Sequence, residues 1–243
     1  MHYVCSDIHG RYHDWVRMLS LIHFSPDDTM YVLGDIVDRG SEPIRLMLDI
    51  FKRTNVKLMV GNHEHMMIQA MKYQDREELY TWMGNGGGVT LDQFVLLNSD
   101  LQDALLTALN NCPVAIPDLK VGGRDFYLAH ACQSEFVIHE PLLYKDADPY
   151  DLEEIVWSRL YKDPDPYFLQ EDYQYLFREY PDTTLIIGHT PTYRCTYGRM
   201  NSCGNGRISR TMKGHLINID CGCAGGKRLG CLRLEDMKEF YIA

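Results

Sequence analysis

Two carboxylates and an arginine stand within seven residues in GDIVDRG (34–40), and an amide, an imidazole and a carboxylate are adjacent in GNHE (61–64). SDIHG (6–10) adds Asp7 and His9, LAHA (128–131) adds His130, and IIGHTP (186–191) adds His189. Asp, His and Asn are hard-to-borderline donors, and no cysteine occurs in the five clusters, so they suit Mn, Fe or Zn rather than a soft metal or an iron–sulfur centre. A pair of such ions forms a clamp for in-line displacement at phosphorus if one carboxylate bridges them. Asp35 is the best candidate for that bridge. Asp7 and His9, two apart, are expected to project from the same side of an extended segment. Two divalent ions held by Asp7 and Asp35, with one bridging hydroxide, leave the centre at about +1. Arg39 adds to this and offers a fork of donors to phosphate oxygens.

Each cluster follows a short apolar run: YVC (3–5), MYVL (30–33), LMV (58–60), FYLA (126–129) and LII (185–187). Between the first three runs lie helical patterns, with Trp15, Met18, Leu19 and Ile22, then Ile44, Met47, Leu48 and Phe51, at i, i+3, i+4, i+7. Ser41 is placed to cap the second helix, with Pro43 in its first turn. A third helix is expected from near Glu64. The β-α-β-α-β order predicts parallel strands with crossover helices. The carboxyl ends of parallel strands meet at one crevice, where ligands bind. One histidine after a strand is usually a structural hydrogen-bonder; five such strand ends together predict a shared site. A helical region over about 64–111, broken by NGGG (85–88), and a strand-rich later part expected to close a second sheet complete the chain.

The 243 residues carry a net charge of −10, with 45% hydrophobic and 24% charged residues, the composition of a soluble globular protein. That charge argues against general nucleic-acid or anionic-membrane binding, which needs a basic face. No run approaches the ~18 apolar residues of a membrane span. The first residues lack a secretory pattern, and the eight cysteines read as reduced thiols of a cytoplasmic protein. Cys203, Cys221 and Cys223 form only a weak soft-metal pattern. Without repeats or a Gly/Ser linker, a single domain over 1–243 is expected. Residues 145–182 hold eleven acidic against four basic residues and six tyrosines. They read as a solvated helical excursion with an aromatic underside, the alternative being a groove wall that repels polyanions.

With these pieces in hand, the chain resembles the phosphoprotein phosphatase family of binuclear metallophosphoesterases, most of all its compact bacterial and phage branch. The order and spacing of SDIHG, GDIVDRG, GNHE, the His of LAHA, and IIGHTP carry the resemblance, supported by NGGG after a Trp, IVWSR (155–159) and INIDCG (217–222). It implies an α/β fold of two packed mixed β-sheets flanked by helices, a metallophosphoesterase-type β-sandwich. It further implies two divalent ions, Mn²⁺ before Fe or Zn. Asp7, His9 and Asp35 would hold one, and Asp35, Asn62, His130 and His189 the other. His63 would be the general acid in attack by a metal-activated water, Asp38 would orient it, and Arg39 and Arg159 would grip phosphate. A carboxylate beside His63 is expected to favour its protonated form. Ser6 departs from the family's usual Gly and still fits as a small residue. His65 and Cys132 read as structural, Asp220 as a supporting acid, and His2, His13, His23, His139 and His215 as surface or packing residues.

The expected activity is dephosphorylation of phosphoserine or phosphothreonine, with phosphotyrosine open, in proteins or peptides. Hydrolysis of dinucleoside polyphosphates or nucleotide caps is the alternative. Those substrates need extra cations, of which 145–182 offers few. A catalytically silent scaffold should have lost ligand residues, yet every expected position is filled.

Overall fold

In the computed structural model, residues 1–131, 140–159, 181–194, 206–211 and 214–243 are described. Strands β1 (His2–Cys5), β2 (Thr29–Val32) and β3 (Val56–Leu58) alternate with helices α1 (Tyr12–Leu21) and α2 (Pro43–Lys52). All three strands are parallel, and their ends are in register: Cys5 lies beside Val32, and Val32 beside Leu58. The three loops that follow therefore leave the sheet along one edge. Helix α3 (Asn62–Met71) starts two residues ahead of the expected position, and α4 (Arg76–Gly84), α5 (Gly88–Phe94) and α6 (Ser99–Asn110) make up the central helical region.

The second sheet has the order β6 (Leu142–Leu143), β4 (Pro113–Val121), β5 (Arg124–Ala129), β7 (Thr183–Ile187), β9 (Leu216–Asn218), β8 (Ser209–Thr211). In it β5, β7 and β9 run parallel, so His130, His189 and Asp220 also emerge at one edge. Helix α7 (Pro149–Trp157) covers part of the acidic segment, burying Leu152, Ile155 and Val156. The buried face of this helix is aliphatic rather than the expected aromatic one, with Tyr150 exposed; 160–180 lie outside the described residues, as do Cys132, His139, Cys195 and Cys203.

Alternation along the strands divides the core. Tyr3, Cys5, Met30, Val32 and Leu58 pack with Trp15, Met18, Ile44 and Met47 of the helices. Val4, Leu33 and Met59 point the other way and meet Phe126, Leu128, Ile186 and Ile217 of the second sheet. Two mixed sheets packed face to face and flanked by helices are the expected α/β architecture.

Two local expectations need correction, and one strand had no sequence signal. Ser41 does not cap α2: Pro43 holds the first helical position, so Glu42 precedes it with no side-chain cap, and the Ser41 carbonyl instead accepts from Gln93 Nε2 at 2.8 Å. The late hairpin of β10 (Leu229–Arg233) and β11 (Lys238–Ile242) joins the first sheet, not the second, with β10 antiparallel to β1. Strand β4 was not read from the sequence. A bulge between Ile116 and Leu119, with Asp118 at φ 56°, interrupts its alternation.

Candidate metal and phosphate site

Backbone bonds continue past the strand ends and lock the loops together. Asp7, His9 and Gly10 donate their amides to the carbonyls of Gly34, Asp35 and Ile36 at 3.1, 2.9 and 2.7 Å. The segment is not extended, contrary to expectation: Asp7 and His9 have φ of 54° and 48°. Asp35, Asp38, Arg39 and His189 share this left-handed conformation, at 55°, 69°, 63° and 64°. Each such residue costs about 1–2 kcal/mol. Six of the ten non-glycine residues with positive φ among the described residues are thus predicted site residues. Strain gathered this way is a mark of a functional centre. It folds the loops back so that side chains from five strands face one another.

Asp35 lies at the middle. Its Oδ2 is 3.5 Å from His9 Nε2 and 3.9 Å from His63 Nε2, and its Oδ1 is 3.4 Å from His130 Nε2. Two groups of mutually close donor atoms result, His9–Asp35–His63 and Asp35–His130–His189, all buried and sharing Asp35. Asn62 joins the second group, with Oδ1 3.1 Å from His130 Nε2 and 2.9 Å from His189 Nδ1. Asp7 sits beside them; its Oδ2 accepts from Ser6 Oγ at 2.6 Å and from the His189 amide at 3.0 Å. Gly61 allows the close approach: a Cβ there would fall 2.4 Å from Asp35 Oδ1.

The donors fit divalent cations. His130 Nδ1 donates to the Leu33 carbonyl at 2.6 Å, so in the neutral ring Nε2 is a lone pair aimed at the oxygens of Asp35 and Asn62. Acceptors facing acceptors in a buried site call for a cation between them. His189 Nε2 is buried and has no hydrogen-bond partner among the described residues. Burial first, then the charges of Asp7 and Glu64, pushes the Asp35 carboxyl well above its usual range. Burial, followed by His130, Arg159 and His63, holds His189 well below its usual value against a smaller upward pull from the Trp157 backbone. Neutral imidazoles and carboxylates in want of positive charge make a ligand set.

Over the first group lies Arg39. Its Nη1 donates to His9 Nε2 at 2.9 Å and its Nη2 to His63 Nε2 at 2.7 Å. The other nitrogen of His9 donates to the Val37 carbonyl at 2.9 Å, and that of His63 meets Asp38 Oδ2 at 2.5 Å. The expectation that Asp38 keeps His63 protonated is therefore corrected. Burial, then Arg39, then His130 and Arg159 lower the imidazole well below its usual value, and its Nε2 accepts rather than donates. Arg159 Nη1 approaches the His189 carbonyl at 3.5 Å, on the second group's side.

Three supports escaped the sequence reading. Buried Glu64 accepts the amides of Asp35 and Gly61 through Oε2 at 2.7 and 2.9 Å, and those of Ile36 and Val37 through Oε1 at 2.8 and 3.3 Å. Its place three residues after Gly61 is the spacing of a capping box, a signal present in GNHE. Trp82 Nε1 donates to Asp38 Oδ2 at 2.8 Å. Thr90 Oγ1 donates to Asp38 Oδ1 at 2.6 Å and accepts the Asp38 amide at 2.9 Å. Burial raises Asp38 to about 7, with Thr90, Trp82 and Arg39 opposing it. Thr90→Val keeps the shape and removes the hydroxyl, stranding two buried groups, and is expected to cost about 1–3 kcal/mol. Thermal denaturation measures this; an unchanged midpoint would show that the hydroxyl carries no weight.

The remaining candidates are structural where described. His65 Nδ1 meets the Tyr144 hydroxyl at 2.9 Å, and burial takes the imidazole down to about 4. His2 pairs with Glu235 and His13 with Glu42. Burial pushes the Cys223 thiol up to about 12 and raises Cys221 likewise, so neither is a ready thiolate. No cysteine enters the candidate ligand groups among the described residues. Asp220 is buried, its Oδ1 accepting the Gly222 amide at 2.9 Å. No helix among the described residues is long and apolar enough to cross a membrane.

Paired sheets that deliver carboxylate, imidazole and arginine to one edge define a metal-dependent phosphoesterase. Residues 3–213 match the calcineurin-like phosphoesterase family, and the chain belongs to it. A serine/threonine-protein phosphatase 2 of Salmonella typhimurium is 29% identical over 160 residues, 65% of this chain and 67% of that protein. A symmetrical bis(5'-nucleosyl)-tetraphosphatase of Erwinia tasmaniensis is 30% identical over 132 residues, 53% of this chain but 43% of that relative's length. Among solved structures, a candidate diadenosine tetraphosphatase superposes with a TM-score of 0.62 at 15% identity, covering 99% of this chain and 92% of that one, a likeness of fold.

Proposed function

We propose that the chain is a protein phosphatase that removes phosphate from phosphoserine or phosphothreonine, phosphotyrosine being a further substrate of the same chemistry. The observation that carries this reading is the Asp35 carboxylate shared by two donor groups, with Arg39, His63 and Asp38 stacked on one side. Asp7, His9 and Asp35 would hold one divalent ion, and Asp35, Asn62, His130 and His189 the other. Donor type admits Mn, Fe or Zn, and resemblance to the family makes Mn²⁺ the first choice. When bound, the pair supplies a nucleophilic water near neutral pH and polarises the phosphoryl oxygens.

The chain's own residues do the rest. Arg39 and Arg159 bind and orient phosphate oxygens through their planar donors. For Arg39 this means leaving His9 and His63, which frees His63 Nε2. His63, now relieved of an adjacent cation and backed by Asp38, takes up a proton and delivers it to the leaving oxygen. Phosphate binding and arming of the acid are thereby one movement. Trp82 and Thr90 keep the Asp38 carboxylate aimed at His63 Nδ1. The cellular compartment proposed is the cytoplasm, consistent with the protonated, unpaired thiols among the described cysteines.

The pairing of GDIVDRG with GNHE and the scarcity of cations in 145–182 favour phosphoprotein over polyphosphate. Similarity to the tetraphosphatases favours the second reading, cleavage of dinucleoside polyphosphates. Parallel turnover of a phosphothreonine peptide and diadenosine tetraphosphate with added Mn²⁺ separates them. The peptide is expected to have the higher kcat/KM; an inverted ratio overturns the protein phosphatase assignment.

A further inference from the structure

On either side of Arg39 the floor of the site opens into a cavity. One, of about 330 Å³, is walled by Arg11, His13, Asp14 and Glu42; the other, of about 360 Å³, by His9, Asn85, Tyr193, Arg194 and Asp220. Arg39 and Ala224 line both, so the two arms adjoin across the guanidinium. Their charges differ. In the first arm the basic groups other than Arg39 each meet a carboxylate: Arg11 Nε lies 2.6 Å from Asp14 Oδ2, and His13 Nε2 lies 3.2 Å from Glu42 Oε2. In the second, Arg194 is exposed and forms no ion pair with a described carboxylate. The acid of that arm, Asp220, is 3% exposed, and its Oδ1 accepts the Gly222 amide at 2.9 Å.

This arm is built rather than incidental. A Cβ on Gly222 would stand 2.3 Å from the Tyr193 ring, and one on Gly225 2.7 Å from its hydroxyl. The turn after β9 is thus pared to glycine where the ring lies against it. Fixed in this way, the ring carries the Arg194 guanidinium at 5.6 Å and the Lys227 ammonium at 5.9 Å from its centre. A guanidinium held over an aromatic face next to the phosphate-gripping Arg39 is suited to a second anion.

We propose that Arg194, seated on Tyr193, reads a second anionic group of the substrate beside the phosphate that is cleaved, while the arm past Arg11 takes the uncharged or basic side. The inference rests on the phosphoesterase reading above. The anion is supplied by an acidic side chain flanking the phosphoresidue or by the next phosphate of a polyphosphate.

The test uses labelled peptides bearing a non-hydrolysable phosphonate analogue of phosphothreonine, with Asp, Ala or Lys beside it on either side. Their affinities for the Mn²⁺-loaded protein are read by fluorescence anisotropy. The wild type is expected to favour an Asp neighbour over Ala by about three- to fivefold, as suits one partly screened charge pair. Arg194→Ala should bring the two within about twofold, and Arg194→Glu should turn the preference toward Lys, which a merely damaged fold would not do. Equal affinities in the wild type, or a preference that survives Arg194→Ala, overturn the inference. If Arg194→Ala also raises KM for diadenosine tetraphosphate at unchanged kcat, the anion read is a phosphate as well. Selective binding without turnover of any phosphomonoester would sink the catalytic reading and leave this one standing.

Discussion

His63→Asn is expected to lower kcat on a phosphoserine peptide by about 10²–10⁴-fold, the span of general acid catalysis. A serine alkoxide is a poor leaving group and needs its proton in the transition state. p-Nitrophenol leaves as a stable anion, so the same variant should lose much less on p-nitrophenyl phosphate. The unequal losses separate an acid from a scaffold residue, because damage to metal binding would depress both substrates alike. His63 touches Asp35 at 3.9 Å and Asp38 at 2.5 Å, so metal content of the variant is to be measured alongside. Equal losses at full metal occupancy would remove His63 from the acid role and leave it to position Arg39.

The second large effect falls on a residue with no part in the chemistry. Glu64→Ala strands four backbone amides, those of Asp35, Ile36, Val37 and Gly61, in a fully buried space. Each orphaned donor costs about 1–3 kcal/mol before relaxation, and water entering the gap recovers part of it. A net loss of about 3–5 kcal/mol is expected from urea denaturation. Glutamine offers little rescue, since its NH₂ would face two amide donors that now meet an oxygen. Calorimetric metal titration of the folded fraction should also show weakened binding, because these amides fix the loop that carries Asp35. A variant within about 1 kcal/mol of wild type would mean that the loop holds itself.

The clustering of the candidate site residues was legible because it is local. Asp7, Asp35, Asn62, His130 and His189 each follow an apolar run by a residue or two, and parallel strands must bring such ends together. What supports those residues was less legible. Thr90 and Trp82 reach Asp38 from across NGGG, a contact of long sequence separation for which no periodicity speaks. The left-handed backbone at Asp7 and His9 was missed because only tertiary contacts hold L-residues there against their own preference. The bulge with Asp118 hid β4, and the sheet joined by β10 is settled by which edge β1 presents, not by the residues of β10.

That neighbour of β1 has a bearing on how the protein is made. Cys5 sits opposite Cys231 in the sheet, so the strand that presents Asp7 waits for residues synthesised far later. At ribosomal speeds the interval is roughly 10–45 s, during which an apolar strand edge stays open to chaperones or to another nascent chain. Removing β10 or β11 therefore bears on the loop that carries Asp7, and soluble yield is expected to rise with chaperone supply.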